Sequence, residues 1–336
     1  MKPAPNQPLV VMLYPLVFEP ILKERVWGGR MLERAYGKVL PPEAPIGESW
    51  EISDRPGDAS VIANGPLAGK DLRWLMECHG AEVLGAAPSW RGRFPLLIKI
   101  LDAREKLSLQ VHPPAAKALA LGGDPKTEMW YIAHAVPGAE LFVGLKPGIT
   151  RAEFERKLAS GTVDACFHRV SVRAGDAMFL PSGRVHALGA GLVVFEIQQN
   201  SDTTYRVSDW NRLGLDGRPR SLHLPESLAS IDFDDFEPGL VRAQPRVDGL
   251  IEVRELVRDP LFTVETRLAP AGASWPLAAG RMRILGVLTG RLDIISAGEN
   301  LALDPGRFCL VPSALEGVEL RTESATSFLQ VEAGSG

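Results

Sequence analysis

The sequence predicts a mainly β protein, built as two β-barrel units with a few helices packed around them. Three observations predict it. First, 33 glycines and 27 prolines are spread along the whole chain, and many short apolar runs end at Pro-Gly, Ala-Gly-Asp or Gly-Arg turns. Short runs punctuated this way read as antiparallel strands. Second, Leu107, Leu109 and Val111 alternate with Ser108, Gln110 and His112, and a period of two puts the polar three on one face of a strand. Third, the chain echoes itself. Ala174-Gly-Asp-Ala-Met-Phe-Leu-Pro-Ser182 aligns without gaps to Pro305-Gly-Arg-Phe-Cys-Leu-Val-Pro-Ser313. Each copy is a turn, a short apolar strand and Pro-Ser, and each follows a strand pair, near 128–144 and 281–295. Two copies of one β unit predict two small barrels.

The elements follow in order. Apolar residues at helical spacing predict a helix over 72–84. Residues 94–101 (FPLLIKIL) and 107–112 read as strands, as do 128–134 and 140–144. Thr150 with Glu153 forms a capping-box pattern that opens a helix to about residue 160. Further strands are expected at 169–173, 177–181 and 192–199. The stretch 213–250 is rich in proline and charge and reads as the connection, with a helix candidate at 225–233. The expected division is an N-terminal unit over 1–230 and a C-terminal unit over 231–336.

A chain of 336 residues is long enough for two units, each with its own core. The formal net charge of −4 argues against a nucleic-acid or anionic-membrane partner. No apolar stretch approaches the ~20 residues of a membrane span. The N-terminus carries one Lys, several prolines and a short apolar run, and no secretory leader is read there. Three widely spaced cysteines, Cys78, Cys166 and Cys309, fit a reducing cytoplasm without disulfides; nothing nearby marks any of them as reactive.

The chemistry gathers around Gly175-x5-Pro181-x-Gly183-x2-His186. Gly175 and Asp176 turn the chain, 177–180 form a strand, Pro181 and Gly183 stop it, and His186 follows facing inward. The spacing resembles the second motif of the cupin superfamily, although Ala190 stands where that family usually has Asn. Gln110 and His112 add two donors on one strand face, and Glu128 opens a later strand. Two imidazoles, one carboxylate and one amide oxygen suit a borderline divalent metal, zinc above all, with a position left for water or substrate. The usual cupin pattern has His-x-His on the first strand. Here Gln replaces the first His, which points to one branch of the superfamily.

Four runs resemble type I phosphomannose isomerases of the short bacterial form. They are Phe94-Pro-Leu-Leu-Ile-Lys-Ile-Leu-Asp-Ala103, Lys106-Leu-Ser-Leu-Gln-Val-His-Pro113, Lys126-Thr-Glu-Met-Trp-Tyr131 and Asn200-Ser-Asp-Thr-Thr-Tyr-Arg206. Trp27-Gly-Gly and Gly47-Glu-Ser-Trp-Glu-Ile-Ser53 fit as well, so the resemblance spans roughly residues 15–212. It implies a bicupin, two cupin-like barrel or jelly-roll units. It also implies one Zn2+ ion and interconversion of mannose 6-phosphate and fructose 6-phosphate through an enediolate. Carried over by motif, the ligands are Gln110, His112, Glu128 and His186. Arg206 matches the catalytic arginine. Glu196, Asp202 and Lys126 fall on acid–base positions, and Ser108 and Lys106 fall near the phosphate end.

Blander readings stand beside these. Gln110 could hydrogen-bond a ligand instead of being one. Glu128 could pair with Lys126, Arg206 with Asp209, and Glu196 with an unidentified structural partner. Lys106 and Ser108 could be plain strand-edge residues, and Trp27, Trp50 and Trp130 core or pocket-wall aromatics. In the second β copy Gly317 stands at the place of His186 and no Gln-x-His pair precedes it, so that unit is expected to carry no metal. Two rival functions belong to other classes: a metal-dependent cupin oxygenase, and a metal-binding sugar-phosphate protein without isomerase activity. The Gln-for-His change and Arg206 speak against the first. The expected partner is a small sugar phosphate, in the cytoplasm; the oligomeric state is open.

Overall fold

The computed structural model describes residues 12–334; the reading of the extreme N-terminus falls largely outside them. Strands hold 41% of the residues and helices 13%, so the chain is mainly β. No helix among the described residues is long and apolar enough to cross a membrane.

The N-terminal half is a six-stranded and a five-stranded sheet. The first runs, in spatial order, Ile21–Gly29, Ile46–Ile52, Leu96–Ala103, Leu192–Gln199, Glu128–Ala135 and Ala177–Leu180. The second runs Tyr205–Ser208, Leu109–Val111, His186–Leu188, Glu140–Leu145 and Phe167–Ser171. The strands at Leu96–Ala103 and Leu192–Gln199 are buried along their whole length. That is why 94–101 and 192–199 read as near-continuous apolar runs: both faces of these central strands are covered. Ile98, Ile100, Phe195 and Ile197 join one core. Leu101, Ala103, Leu192 and Val194 join another, shared with Leu141, Val143 and Leu188 of the five-stranded sheet.

The C-terminal half repeats the plan with a six-stranded and a four-stranded sheet. In its larger sheet the strands Phe262–Ala269, Thr326–Ala333, Arg283–Thr289 and Phe308–Val311 stand in that order. The matching strands of the first half are Leu96–Ala103, Leu192–Gln199, Glu128–Ala135 and Ala177–Leu180. The two echo segments therefore supply the same edge strand in each half. One large core joins the halves, where Ile98, Phe195 and Met129 meet Phe262, Ile284 and Leu329.

The expected barrels are not closed: among the described residues every sheet is open and none returns on itself. The helices lie close to expectation, at Leu72–Leu84, Arg151–Ala159 and Leu224–Ser230. The capping box forms, with the Thr150 hydroxyl accepting from the Glu153 amide at 3.2 Å. The first two strands, at Ile21–Gly29 and Ile46–Ile52, were not anticipated, because their alternation is broken by polar and glycine positions.

Candidate metal centre

Register brings the donors together. His186 opens its strand and pairs with Gln110. Gln110 also pairs with Arg206 on its other side. In the opposite sheet Gln198 pairs with Glu128, and Glu196 stands between Lys99 and Trp130. The Gly183 amide donates to the His112 carbonyl at 2.8 Å, which ties the two histidine segments to each other. Gly183 holds φ at +97°, a left-handed conformation open to glycine at little steric cost.

His112, Glu128 and His186 are all buried, and their ligand atoms lie within 4.8 Å of one another. Glu128 Oε1 is 3.3 Å from His186 Nε2, and Oε2 is 3.6 Å from His112 Nε2. His112 Nδ1–H donates to the Thr203 carbonyl at 2.7 Å and His186 Nδ1–H to the Arg184 carbonyl at 2.9 Å. A carbonyl only accepts, so each ring carries its proton on Nδ1 and turns a bare Nε2 lone pair inward. Burial, helped by Lys126, pushes the His112 pKa down to about 4, and burial lowers that of His186 too. Both rings are neutral near pH 7, the form that binds metals. Burial alone would raise Glu128, but the Lys126 ammonium beside it outweighs that and holds the carboxylate well below its usual range.

His112 Nε2 and both Glu128 oxygens lack a hydrogen-bond partner. Leaving a buried polar atom unpaired costs about 1–3 kcal/mol. Three such atoms aimed at one point form a set that a divalent ion would satisfy. Lys126 Nζ does lie 2.8 Å from Glu128 Oε2, as a charge contact outside good hydrogen-bond geometry. Gln110 Nε2 lies 3.3 Å from His186 Nε2. For its oxygen to join the donor set, the amide must turn over.

A cleft of about 570 Å³ opens beside this group. Gln110, Ser108, Lys126, Glu196, Asp202 and Arg206 all line it; the two histidines and Glu128 do not, but Gln110 Nε2 lies 3.3 Å from His186 and Lys126 Nζ 2.8 Å from Glu128, so the group adjoins the cleft. Trp27 and Trp50 form part of its wall. Glu196 is buried; its Oε1 lies 3.2 Å from Lys99 and 3.8 Å from Lys126, and Oε2 accepts from Trp130 Nε1 at 2.9 Å. Asp202 sits half-exposed at the rim, paired with Arg55 at 2.7 Å. Arg206 is not paired with Asp209, whose carboxylate is taken by Arg212 and Arg220. Lys106 does not line the cleft. Its ammonium lies 3.6 Å over the Trp210 ring, in a neighbouring cavity of about 280 Å³. The strand begins only at Leu109, so the two-residue alternation does not carry back to Lys106.

Sequence reasoning passed over Lys99, Glu48, Arg25 and Arg220, all of which line the cleft. A single lysine inside the apolar run FPLLIKIL was the available signal for Lys99. Arg25 Nε donates to Glu48 at 2.7 Å, as does Trp50 Nε1. Burial would raise Glu48, but Lys99 and Arg25 outweigh it and bring its pKa to about 2.

Comparison with known proteins follows the same line. The model of the phosphomannose isomerase type I catalytic domain matches residues 16–127. The probable mannose-6-phosphate isomerase GmuF of Bacillus subtilis is 36% identical over 305 residues, which are 90% of this chain and 94% of that protein. The chain belongs to the type I phosphomannose isomerase family. The solved mannose 6-phosphate isomerase of Bacillus subtilis superposes with a TM-score of 0.85 at 31% identity, over 94% of this chain and 99% of that one. A mannose 6-phosphate isomerase crystallised with zinc and yttrium shares the fold at 19% identity, with a TM-score of 0.72 over 95% and 99% of the two chains.

Proposed function

We propose that the protein interconverts mannose 6-phosphate and fructose 6-phosphate, with one zinc ion held by Gln110, His112, Glu128 and His186. The observation that carries this is a buried His-Glu-His group in contact with Gln110 and Lys126, two residues of a cleft also lined by Glu196 and Arg206. The family relatives named for this reaction support it. A divalent ion in that group would supply a Lewis acid for the sugar oxygens. The protein's own residues supply the rest. Isomerisation takes a proton from one carbon and returns it to its neighbour, through an enediolate with negative charge on oxygen. Arg206, beside Gln110 across the strand pair, offers a permanent planar cation to that charge. Glu196, Lys126 and Asp202 are the groups that would hold or move the proton. Glu196 is fixed by Lys99 and Trp130 and so is pre-oriented, whereas Asp202 at the rim is open to solvent. Trp27 and Trp50 wall the cleft, and Trp130 packs edge-on against His186 with ring centroids 5.2 Å apart.

We infer further that the two halves are cupin-like units of a bicupin, divided near residue 230, with the metal in the first. The repeated strand order supports that reading. The test is a coupled assay of zinc-loaded protein with mannose 6-phosphate, run beside exchange of the carbon-2 proton in deuterated water. Turnover with exchange is expected. Tight fructose 6-phosphate binding without exchange would leave a sugar-phosphate-binding protein instead.

A further inference from the structure

We propose that Arg55 is a positioning residue for the metal centre: it clamps the segment 200–204, so that the Thr203 carbonyl holds the His112 ring in the tautomer that leaves Nε2 free. The inference rests on the metal-site reading above. Arg55 does not line the cleft and bonds to none of the three buried ligand residues. It sits on the short hairpin formed by Asp54–Arg55 and Asp58–Ala59. Its guanidinium bridges to two other parts of the chain. Nη1 donates to the Asn200 carbonyl at 2.8 Å and to Asp124 Oδ2 at 3.3 Å, and Nη2 donates to Asp202 Oδ1 at 2.7 Å. Nε is buried and has no partner, so the two Nη groups carry the whole clamp. The side chain is only 13% exposed, and charged hydrogen bonds held largely out of water are screened less than those at the surface.

The clamped segment connects the strands Leu192–Gln199 and Tyr205–Ser208 and is itself in no strand. Side chains hold it instead. Asn200 Nδ2 donates to the Phe94 carbonyl at 2.8 Å and to the Asp54 carbonyl at 3.2 Å. Ser201 Oγ donates to the Asp124 carbonyl at 3.2 Å, and the Asp124 amide donates to Thr203 Oγ1 at 3.0 Å. Gly123 permits this close approach, because a Cβ there would lie 2.6 Å from Thr203 Cγ2. Asp124 thus grips both neighbours of Asp202, and Arg55 ties Asp124 to Asp202 and to Asn200. The consequence reaches the metal site at Thr203, whose carbonyl accepts from His112 Nδ1 at 2.7 Å. The outer partner of a metal-binding histidine fixes its tautomer and the orientation of its ring. His186 takes that partner, the Arg184 carbonyl, from two residues away. His112 takes it from a residue 91 positions away, so its orientation depends on whatever holds that distant segment. Arg91 also approaches Asp124, at 3.1 Å, but its side chain is 61% exposed, and such a surface pair contributes little.

The test uses Arg55→Met and Arg55→Lys in the full chain, with Arg91→Met as the comparison. Each variant is read in two ways. Zinc affinity comes from equilibrium dialysis with metal analysis. The His112 tautomer comes from nitrogen NMR of metal-free protein carrying isotope-labelled histidine, near neutral pH; the chain has six histidines, and a His112→Gln sample assigns the signal. Wild type should show His112 protonated on Nδ1 alone. Arg55→Met should weaken zinc binding by about 10- to 30-fold, within the range for losing the outer support of a metal-binding histidine, and should show a second His112 tautomer. Arg55→Lys keeps the charge but not the fork and should fall between. Arg91→Met should bind zinc within about twofold of wild type. A lower Tm in Arg55→Met with zinc affinity and tautomer unchanged overturns the proposal and makes Arg55 a structural residue. An equal loss of zinc affinity in Arg91→Met overturns it too, because the effect would then be one of charge around Asp124. If Arg55→Met does not fold, Arg55→Lys decides by the same two readouts. If the wild type binds no zinc, the metal reading fails on its own, and the His112 tautomer in wild type and variants still decides the role of Arg55.

Discussion

Glu128→Gln is the sharpest single perturbation of the metal centre. The change is nearly isosteric and removes one negative charge from a carboxylate that touches both histidines. Apparent zinc affinities of four-ligand protein sites run to about 10–16 kcal/mol. Shared over four donors, that is about 3 kcal/mol each, so losing one should weaken zinc binding by about 100-fold or more. At zinc concentrations that saturate both proteins, the linked loss of stabilisation is about 2.7 kcal/mol. A chain of 336 residues has an unfolding entropy near 0.7 kcal/mol/K. The zinc-dependent rise in Tm should therefore be smaller by about 4 °C in the variant. The assay is equilibrium dialysis with metal analysis, beside thermal unfolding with and without zinc. A variant that binds zinc as tightly as the wild type, with the same Tm rise, would refute the donor set and the mechanism built on it.

Three further outcomes follow from the same geometry. Arg206→Lys should retain zinc and lose about 10²–10³ in kcat; loss of zinc together with activity would make Arg206 a structural residue. Glu48, with its folded pKa near 2, contributes stability that is fully present above its ordinary value of 4.5 and is lost as pH falls towards 2. The contribution amounts to about 3 kcal/mol. The gap in urea midpoint between wild type and Glu48→Gln should thus narrow from pH 6 to pH 3, and a constant gap would contradict the charge argument. Lys38 and Glu51 form a buried ion pair at 2.8 Å, and Lys38 also reaches the Gly306 carbonyl of the C-terminal half at 3.3 Å. Lys38→Met should cost about 3–5 kcal/mol by stranding Glu51, and Lys38→Met with Glu51→Leu should recover most of it; denaturant midpoints of the two variants check this.

The resemblance to a zinc isomerase and the local reading of residues meet at particular side chains. His186 was legible because turn glycines, a stop proline and an inward histidine recur at fixed offsets. Gln110 and His112 were legible because a period of two puts them on one face. The helix at Arg151–Ala159 was legible from Thr150 and Glu153 alone. What these share is that the physics acts over a few residues: turn conformation, pleat and cap. The open form of the sheets was not legible, because whether a sheet closes depends on strand tilt and stagger across the whole layer.

Chain order alone thus determined the strand alternation, the helix caps, the echo of two units and the types of donor. Tertiary structure decided which partners those groups acquired. Glu196 opposite Lys99, Asp209 claimed by Arg220 rather than Arg206, and Lys106 drawn onto Trp210 all depend on register between segments far apart in sequence. Register is set by burying whole faces at once, and the charge a side chain meets there is invisible to any short window of residues.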